Sequence, residues 1–235
     1  MPNQQWHDQR LEIWFRQQRK QCIPGAFIRT NDFPRVAVNR ANGNVYVAWQ
    51  DFRNGEFDIQ LATSRDGGNT WSPSVTANPD RGLDHYFAAI DLAERPSRDR
   101  VGLSYYRTER VPNENVTPPG GFAPGQPGVA TGNSDYVLAG GTALQAPFNF
   151  RVVSPIFPPP NGIQTGFNGD YSGLTINKGE QAHPIWSDTR NVDPFAPANG
   201  VINDEDVFTD KVELPEGRGR PGVGRIGQDG RDGRD

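Results

Sequence analysis

Three times along this chain, a run of residues opens on Asp, continues with a ring side chain, and closes on a β-branched residue followed by Asn or Asp. The runs are 32–39 (Asp32-Phe33 to Val38-Asn39), 84–91 (Asp84-His85 to Ile90-Asp91) and 170–177 (Asp170-Tyr171 to Ile176-Asn177). Each is followed by a second apolar run, at 45–49, 101–105 and 182–186. A third run again starts on Asp, at Asp58, Asp135 and Asp206. A unit of short strands and turns cannot bury its own faces, so recurring copies stack as separate antiparallel sheets. The 27 Gly and 21 Pro agree, because they punctuate many short elements and leave little room for long helices.

The repeat predicts an all-β fold with three four-stranded blades at 28–80, 81–160 and 165–214. Residues 1–27 read as an irregular arm, although Leu11, Trp14 and Phe15 share one face of a short helix. The second blade carries an insertion over 109–134, rich in Pro, Gly and Asn, of the kind that is functional or disordered. Residues 215–235 are a Gly/Arg/Asp tail with almost nothing to bury, and are expected to be disordered.

Between two expected strands of the first blade stands Ser64-Arg65-Asp66-Gly67-Gly68-Asn69-Thr70-Trp71. Asp66 is placed to accept the turn's own N–H groups, and Gly67 and Gly68 supply positive φ. Ser64 bonds the turn locally, and Trp71 anchors the outgoing strand. This Ser-x-Asp-x-Gly-x-Thr-Trp string resembles the Asp-box (BNR) motif of sialidase-like β-propellers, and the resemblance extends over about residues 28–214. Its structural positions are Ser64, Asp66, Gly68, Thr70 and Trp71. The second and third blades lack the box, with Gly140-Gly141-Thr142 and Val212-Glu213-Leu214 in its place. Propellers close with about 4–8 blades, so three make an arc resembling the C-terminal part of such a protein. The chain then reads as a fragment, a truncated frame, or a half that associates with another chain to cover its open blade faces.

The resemblance implies a glycosidase of exo-α-sialidase type, or a non-catalytic propeller that presents its loops to a glycan or protein. Sialidases hold the substrate carboxylate with arginines and use an Asp acid/base and a Tyr nucleophile, an exception among glycosidases. They also open on an aromatic-Arg-Ile-Pro motif. Here the nearest string, Phe33-Pro34-Arg35-Val36, has a different order.

The candidate residues follow from the repeats. Trp49-Gln50-Asp51-Phe52-Arg53-Asn54 and Trp186-Ser187-Asp188-Thr189-Arg190-Asn191 share one pattern. Duplication points to an Asp–Arg pair bracing each loop. The alternative is that Arg53 and Arg190 clamp a carboxylate, for which a guanidinium fork is suited. Asp32, Asp84 and Asp170 head the inner strands. Such a ring of carboxylates can bind a cation, act as acid or base, or bond N–H groups of the neighbouring blade, the role repetition favours. On the functional reading Asp32 and Asp84 stand at the substrate, and Asp170 and Tyr171 at a reacting centre. Tyr105-Tyr106-Arg107-Thr108-Glu109 offers a second source of Tyr and Glu, while His85 reads as a polar contact and His183 as packed within a strand.

Net charge −4 gives no basic footprint for nucleic acid, and no apolar run reaches the length of a membrane span. Cys22 is alone, so no intrachain disulfide forms. No signal peptide is read in this chain, and its full-length parent is expected to be extracellular or in the cell envelope. No cofactor is expected. The acidic Asn203-Asp204-Glu205-Asp206 has oxygens suited to Ca²⁺, but reads more simply as a solvated turn.

Overall fold

Period-two alternation puts successive side chains on opposite faces, and a strand with both faces covered is apolar on both. The computed structural model of the chain follows this rule sheet by sheet. It describes residue 23 and residues 28–30, 33–93, 99–109, 132–161, 166–195 and 201–227. The first sheet is β1 (Arg35–Val38), β2 (Val45–Asp51), β3 (Asp58–Ser64) and β4 (Val75–Thr76), antiparallel in that order. Along β2 burial alternates: Tyr46 and Ala48 are buried, while Val45, Val47 and Trp49 are half-buried on the other face. After β5 (Asp80–Arg81) comes the second sheet, in the same order: β6 (Leu83–Ala93), β7 (Arg100–Glu109), β8 (Ser134–Gly141) and β9 (Asn149–Val152). Its central strand β8 is buried along its whole length, as a sheet covered on both faces requires. The third sheet has β10 (Gly173–Ile176), β11 (Gln181–Asp188) and β12 (Asp206–Thr209), with β13 (Val212–Glu213) also paired to β11. The fold is all-β, and the three sheets form an open array.

The first strand of each sheet turns towards its neighbours, since β6 packs against both β1 and β10. Between the first and second sheets lie Tyr46, Ala48, Ile59 and Leu61 on one side and Val101, Leu103, Tyr105 and Val137 on the other. Between the second and third lie Leu138, Ile176, Ala182, Val212 and Leu214. Here the approach is close: a Cβ on Gly140 would come within 2.6 Å of the Pro215 carbonyl oxygen and 2.7 Å of Leu214. A chain of aromatic contacts, stacked except for the edge-on step from Tyr106 to Tyr136, crosses the same junction from Tyr86 to Trp186 and Phe208. Tyr106 also ties the two sheets by hydrogen bonds. Its hydroxyl donates to the Ser187 carbonyl at 2.8 Å and accepts from the Ser187 N–H at 2.9 Å.

The expectation of a disordered tail needs correction over 215–227. This stretch runs past Pro147 and Phe148 at the start of β9, forms β14 (Gly222–Val223), which pairs in parallel with β5, and continues to Gly227. Composition misleads here because the stretch is held by main-chain hydrogen bonds and close glycine packing, and needs few buried apolar side chains. The remainder, 228–235, lies outside the described residues. So do most of the 1–27 arm and residues 110–131 of the insertion.

Candidate functional site

The Ser64–Trp71 turn closes on its own side chains. Asp66 Oδ1 accepts from the Ser64 hydroxyl and the Thr70 N–H, each at 2.8 Å, and Asp66 Oδ2 accepts from the Thr70 hydroxyl at 2.6 Å. The Gly68 N–H donates to Ser64 Oγ at 2.8 Å, and the Trp71 indole N–H to the Gly68 carbonyl at 3.1 Å. Gly67 and Gly68 have φ of 71° and 96°. The hydrogen bonds from Thr70 and Ser64 hold the Asp66 carboxyl down at about 2. Every group of the motif is occupied within the turn, which is an architectural arrangement.

The two Trp-x-Asp-x-Arg loops have matching internal bonds. Asp51 accepts from the Trp49 indole N–H at 3.3 Å, the Arg53 backbone N–H at 2.8 Å and the Arg53 guanidinium at 2.5 Å. Asp188 accepts from the Trp186 indole N–H at 2.9 Å, the Arg190 backbone N–H at 3.1 Å and Arg190 Nε at 2.8 Å. Both carboxylates are buried. Arg53 bonds Ser74 besides, and Arg190 lies 3.8 Å over the Phe208 ring. Thus Arg53 and Arg190 are each held by a buried carboxylate two residues earlier. Asp84 is fully buried, and its Oδ1 accepts the Phe57 N–H at 2.8 Å, tying the second sheet to the first. Asp32 lies outside the described residues.

Asp170 and Tyr171, which enter β10, are exposed, Tyr171 to 67%. The Tyr171 ring stacks against Phe33 at 6.4 Å, and the Arg35 guanidinium sits 5.0 Å from its centroid. Phe33, at the entry to β1, is 54% exposed. Among the described residues no carboxylate pairs with Arg35. The structure thereby joins the head of the first sheet to the head of the third at one rim. Sequence reasoning passed over Arg35 because Phe33-Pro34-Arg35-Val36 has the wrong order for the sialidase motif. The available signal was an aromatic residue and an Arg heading one inner strand, facing Asp170-Tyr171 heading another.

Behind the rim, β6 contains a bulge between Tyr86 and Ala89, where Phe87 takes φ of 51°. Such a conformation is costly for a residue with a bulky side chain and persists where surroundings impose it. Here the Phe87 N–H donates to Gln50 Oε1 of the first sheet at 2.9 Å, and the Ser172 hydroxyl donates to the Phe87 carbonyl at 2.6 Å. The first sheet, the second sheet and the segment entering the third thus meet at this one residue, next to Tyr171.

The Tyr105-Tyr106-Arg107 string is buried and structural. Burial raises the Tyr106 phenol well above its ordinary range. Arg107 donates to Asp135 through Nε at 2.9 Å and Nη2 at 2.6 Å, and to Asp80 through Nη1 at 2.9 Å. His85 completes the cluster, with Nδ1 3.0 Å from the Phe57 carbonyl and Nε2 3.0 Å from Asp80 Oδ1. Both ring nitrogens face acceptors that cannot donate, so both carry protons. Burial alone would lower the His85 pKa, but the adjacent Asp80 carboxylate raises it above its ordinary value. The cluster balances two carboxylates against two cations.

Among the described residues, no three His, Cys, Asp or Glu side chains are grouped to hold a metal, and no helix is long and apolar enough to cross a membrane. The Asn203–Asp206 string instead takes part in loop contacts, through a bridge from Val192 to Asn203 and a bond from Asn191 to Asp206.

These blade-like antiparallel sheets define the class of the fold. Among solved structures the chain is similar to the Hadza microbial sialidase Hz136, at 14% identity and TM-score 0.42, over 68% of this chain and 32% of that one. It is also similar to "NanB plus Optactamide", at 15% identity and TM-score 0.36, over 80% of this chain and 24% of that one. The chain thus spans 32% and 24% of those two lengths. No protein-family model matches the chain, and no curated protein matches it in sequence. Neither structural likeness assigns a role to any residue.

Proposed function

We propose that this chain is part of a sialidase-like propeller, with the Ser64–Trp71 turn as its Asp-box, and that its inner rim binds a sugar bearing a carboxylate. One observation carries the reading: Phe33, Arg35 and Tyr171 converge from two sheets, with both rings exposed and the guanidinium unpaired by any described carboxylate. Exposed aromatic side chains suit the apolar surface of a pyranose, and a guanidinium fork suits a carboxylate. Arg53 and Arg190, held by Asp51 and Asp188, are replaced by Arg35 as the leading anionic contact. In the catalytic form of this reading, Tyr171 is the nucleophile and Asp170 the acid/base. The full-length parent then acts outside the cell or in its envelope.

Calorimetric titration with a sialoside tests the binding, and a fluorogenic sialoside tests turnover. Arg35→Ala is expected to weaken binding by roughly tenfold or more, as loss of a charged hydrogen bond of about 1.5–3 kcal/mol implies. Tyr171→Phe is expected to leave binding nearly intact and to abolish any turnover. Binding that survives both Arg35→Ala and Tyr171→Ala sinks the rim as the site.

A further inference from the structure

The path of residues 215–227 carries information beyond the rim. From the third sheet the stretch is gripped first by Arg100, whose Nη2 donates to the Pro215 carbonyl at 2.6 Å and the Leu214 carbonyl at 3.2 Å. It then runs between the start of β9 and the link joining the first and second sheets. Arg218 bridges Phe148, and the Gly219 N–H donates to the Pro147 carbonyl at 2.9 Å. The Gly222 N–H donates to the Pro79 carbonyl at 3.3 Å and the Gly224 N–H to the Arg81 carbonyl at 2.7 Å. At the far end the Gly227 N–H donates to Asp135 Oδ2 at 2.5 Å, reaching the carboxylate that holds Arg107.

The stretch lies in the wedge between residues 79–81, which link the first and second sheets, and residues 147–149 at the start of β9. The fit excludes side chains at set points. A Cβ on Gly219 would meet Pro79 Cβ at 2.6 Å, and a Cβ on Gly224 would meet Leu83 Cδ1 at 2.7 Å and Asp80 Oδ2 at 2.9 Å. Apolar anchoring is slight, with Val223 exposed to 86%. A segment held by a few main-chain bonds and little buried apolar surface opens at far lower cost than the sheets beneath it.

We infer that the wedge lined by 79–81 and 147–149 is an exchangeable docking groove for an extended, glycine-punctuated strand, occupied in this structure by the chain's own residues 217–227. The recognition is strand addition, with main-chain bonds supplying the attachment and the glycine spacing supplying the selection. A second copy of the same segment, presented in trans, fits the same groove.

The test uses a fluorescently labelled peptide of residues 215–227, titrated by anisotropy against the full chain and against full-length Gly224→Val. The variant is expected to release its own segment and bind the peptide saturably, while the parent binds it at least tenfold more weakly. A peptide carrying Gly219→Val and Gly224→Val is expected to bind neither. Equal peptide binding by parent and variant overturns the inference, as does a folded variant that binds none. Hydrogen exchange on the parent decides it if the variant does not fold. The Gly224 and Gly227 amides are expected to exchange at least a hundredfold faster than that of Leu103, and equal protection overturns the exchangeable groove.

Discussion

The loops after β2 and β11 have the same sequence pattern and the same internal hydrogen bonds, yet their tryptophans lie in different surroundings. Trp186 is 3% exposed and stacks at 5.0 Å on Tyr136 of the preceding sheet. Trp49 is half-buried, on the face of the first sheet that carries Val36 and Val38, exposed to 62% and 46%. The matching position in β7 is Tyr105, fully buried against the first sheet and edge-on to His85. In the second and third sheets this position therefore faces the sheet before it. The loop chemistry therefore belongs to the repeat, whereas the energetic weight of its aromatic residue comes from the neighbouring sheet.

Paired substitutions separate the two contributions. Trp186→Ala is expected to cost about 3–5 kcal/mol in chemical denaturation, as other large buried aromatics do, and Trp49→Ala no more than about 1 kcal/mol. Equal costs would break the comparison and place a neighbour over Trp49. Asp51→Ala and Asp188→Ala sharpen it from the other side. Each orphans an indole N–H and a guanidinium, so each is expected to cost about 1–3 kcal/mol, and alike. A marked inequality would show that the loops differ in more than their surroundings.

Tyr105 leads to the smallest effect, through its contact with His85. The folded-state pKa of His85 is raised, so its contribution is fully present below the unfolded value of about 6.5 and is lost as pH rises through the folded value. Stability measured by denaturant titration is expected to fall on that alkaline side. His85→Gln is expected to flatten this limb, and an unchanged profile would remove His85 from the balance with Asp80, Arg107 and Asp135.

Much of the fold was legible because strand periodicity and turn chemistry are local. The second runs at 45–49, 101–105 and 182–186 lie inside β2, β7 and β11, and the Ser64–Trp71 turn closes with the bonds its residue types dictate. The Asp–Arg pairs were legible for the same reason, being two residues apart. The rim was not. Arg35 meets Tyr171 only because two inner strands far apart in sequence converge, and no local pattern records that meeting. The bulge at Phe87 was hidden too, since its backbone is set by Gln50 and Ser172 from other sheets. The 215–227 stretch was misjudged because its glycines serve as clearance, which composition cannot distinguish from slackness.

The pair of hydrogen bonds from the Tyr106 hydroxyl to one residue, Ser187, has a mechanical consequence. A slip of the third sheet along the second by one residue, about 3.3 Å, would break both bonds at once. One phenol therefore acts as a dowel against shear between the second and third sheets. Rotation about this contact would spare both bonds, so the Tyr106 hydroxyl opposes sliding of the third sheet more than rocking.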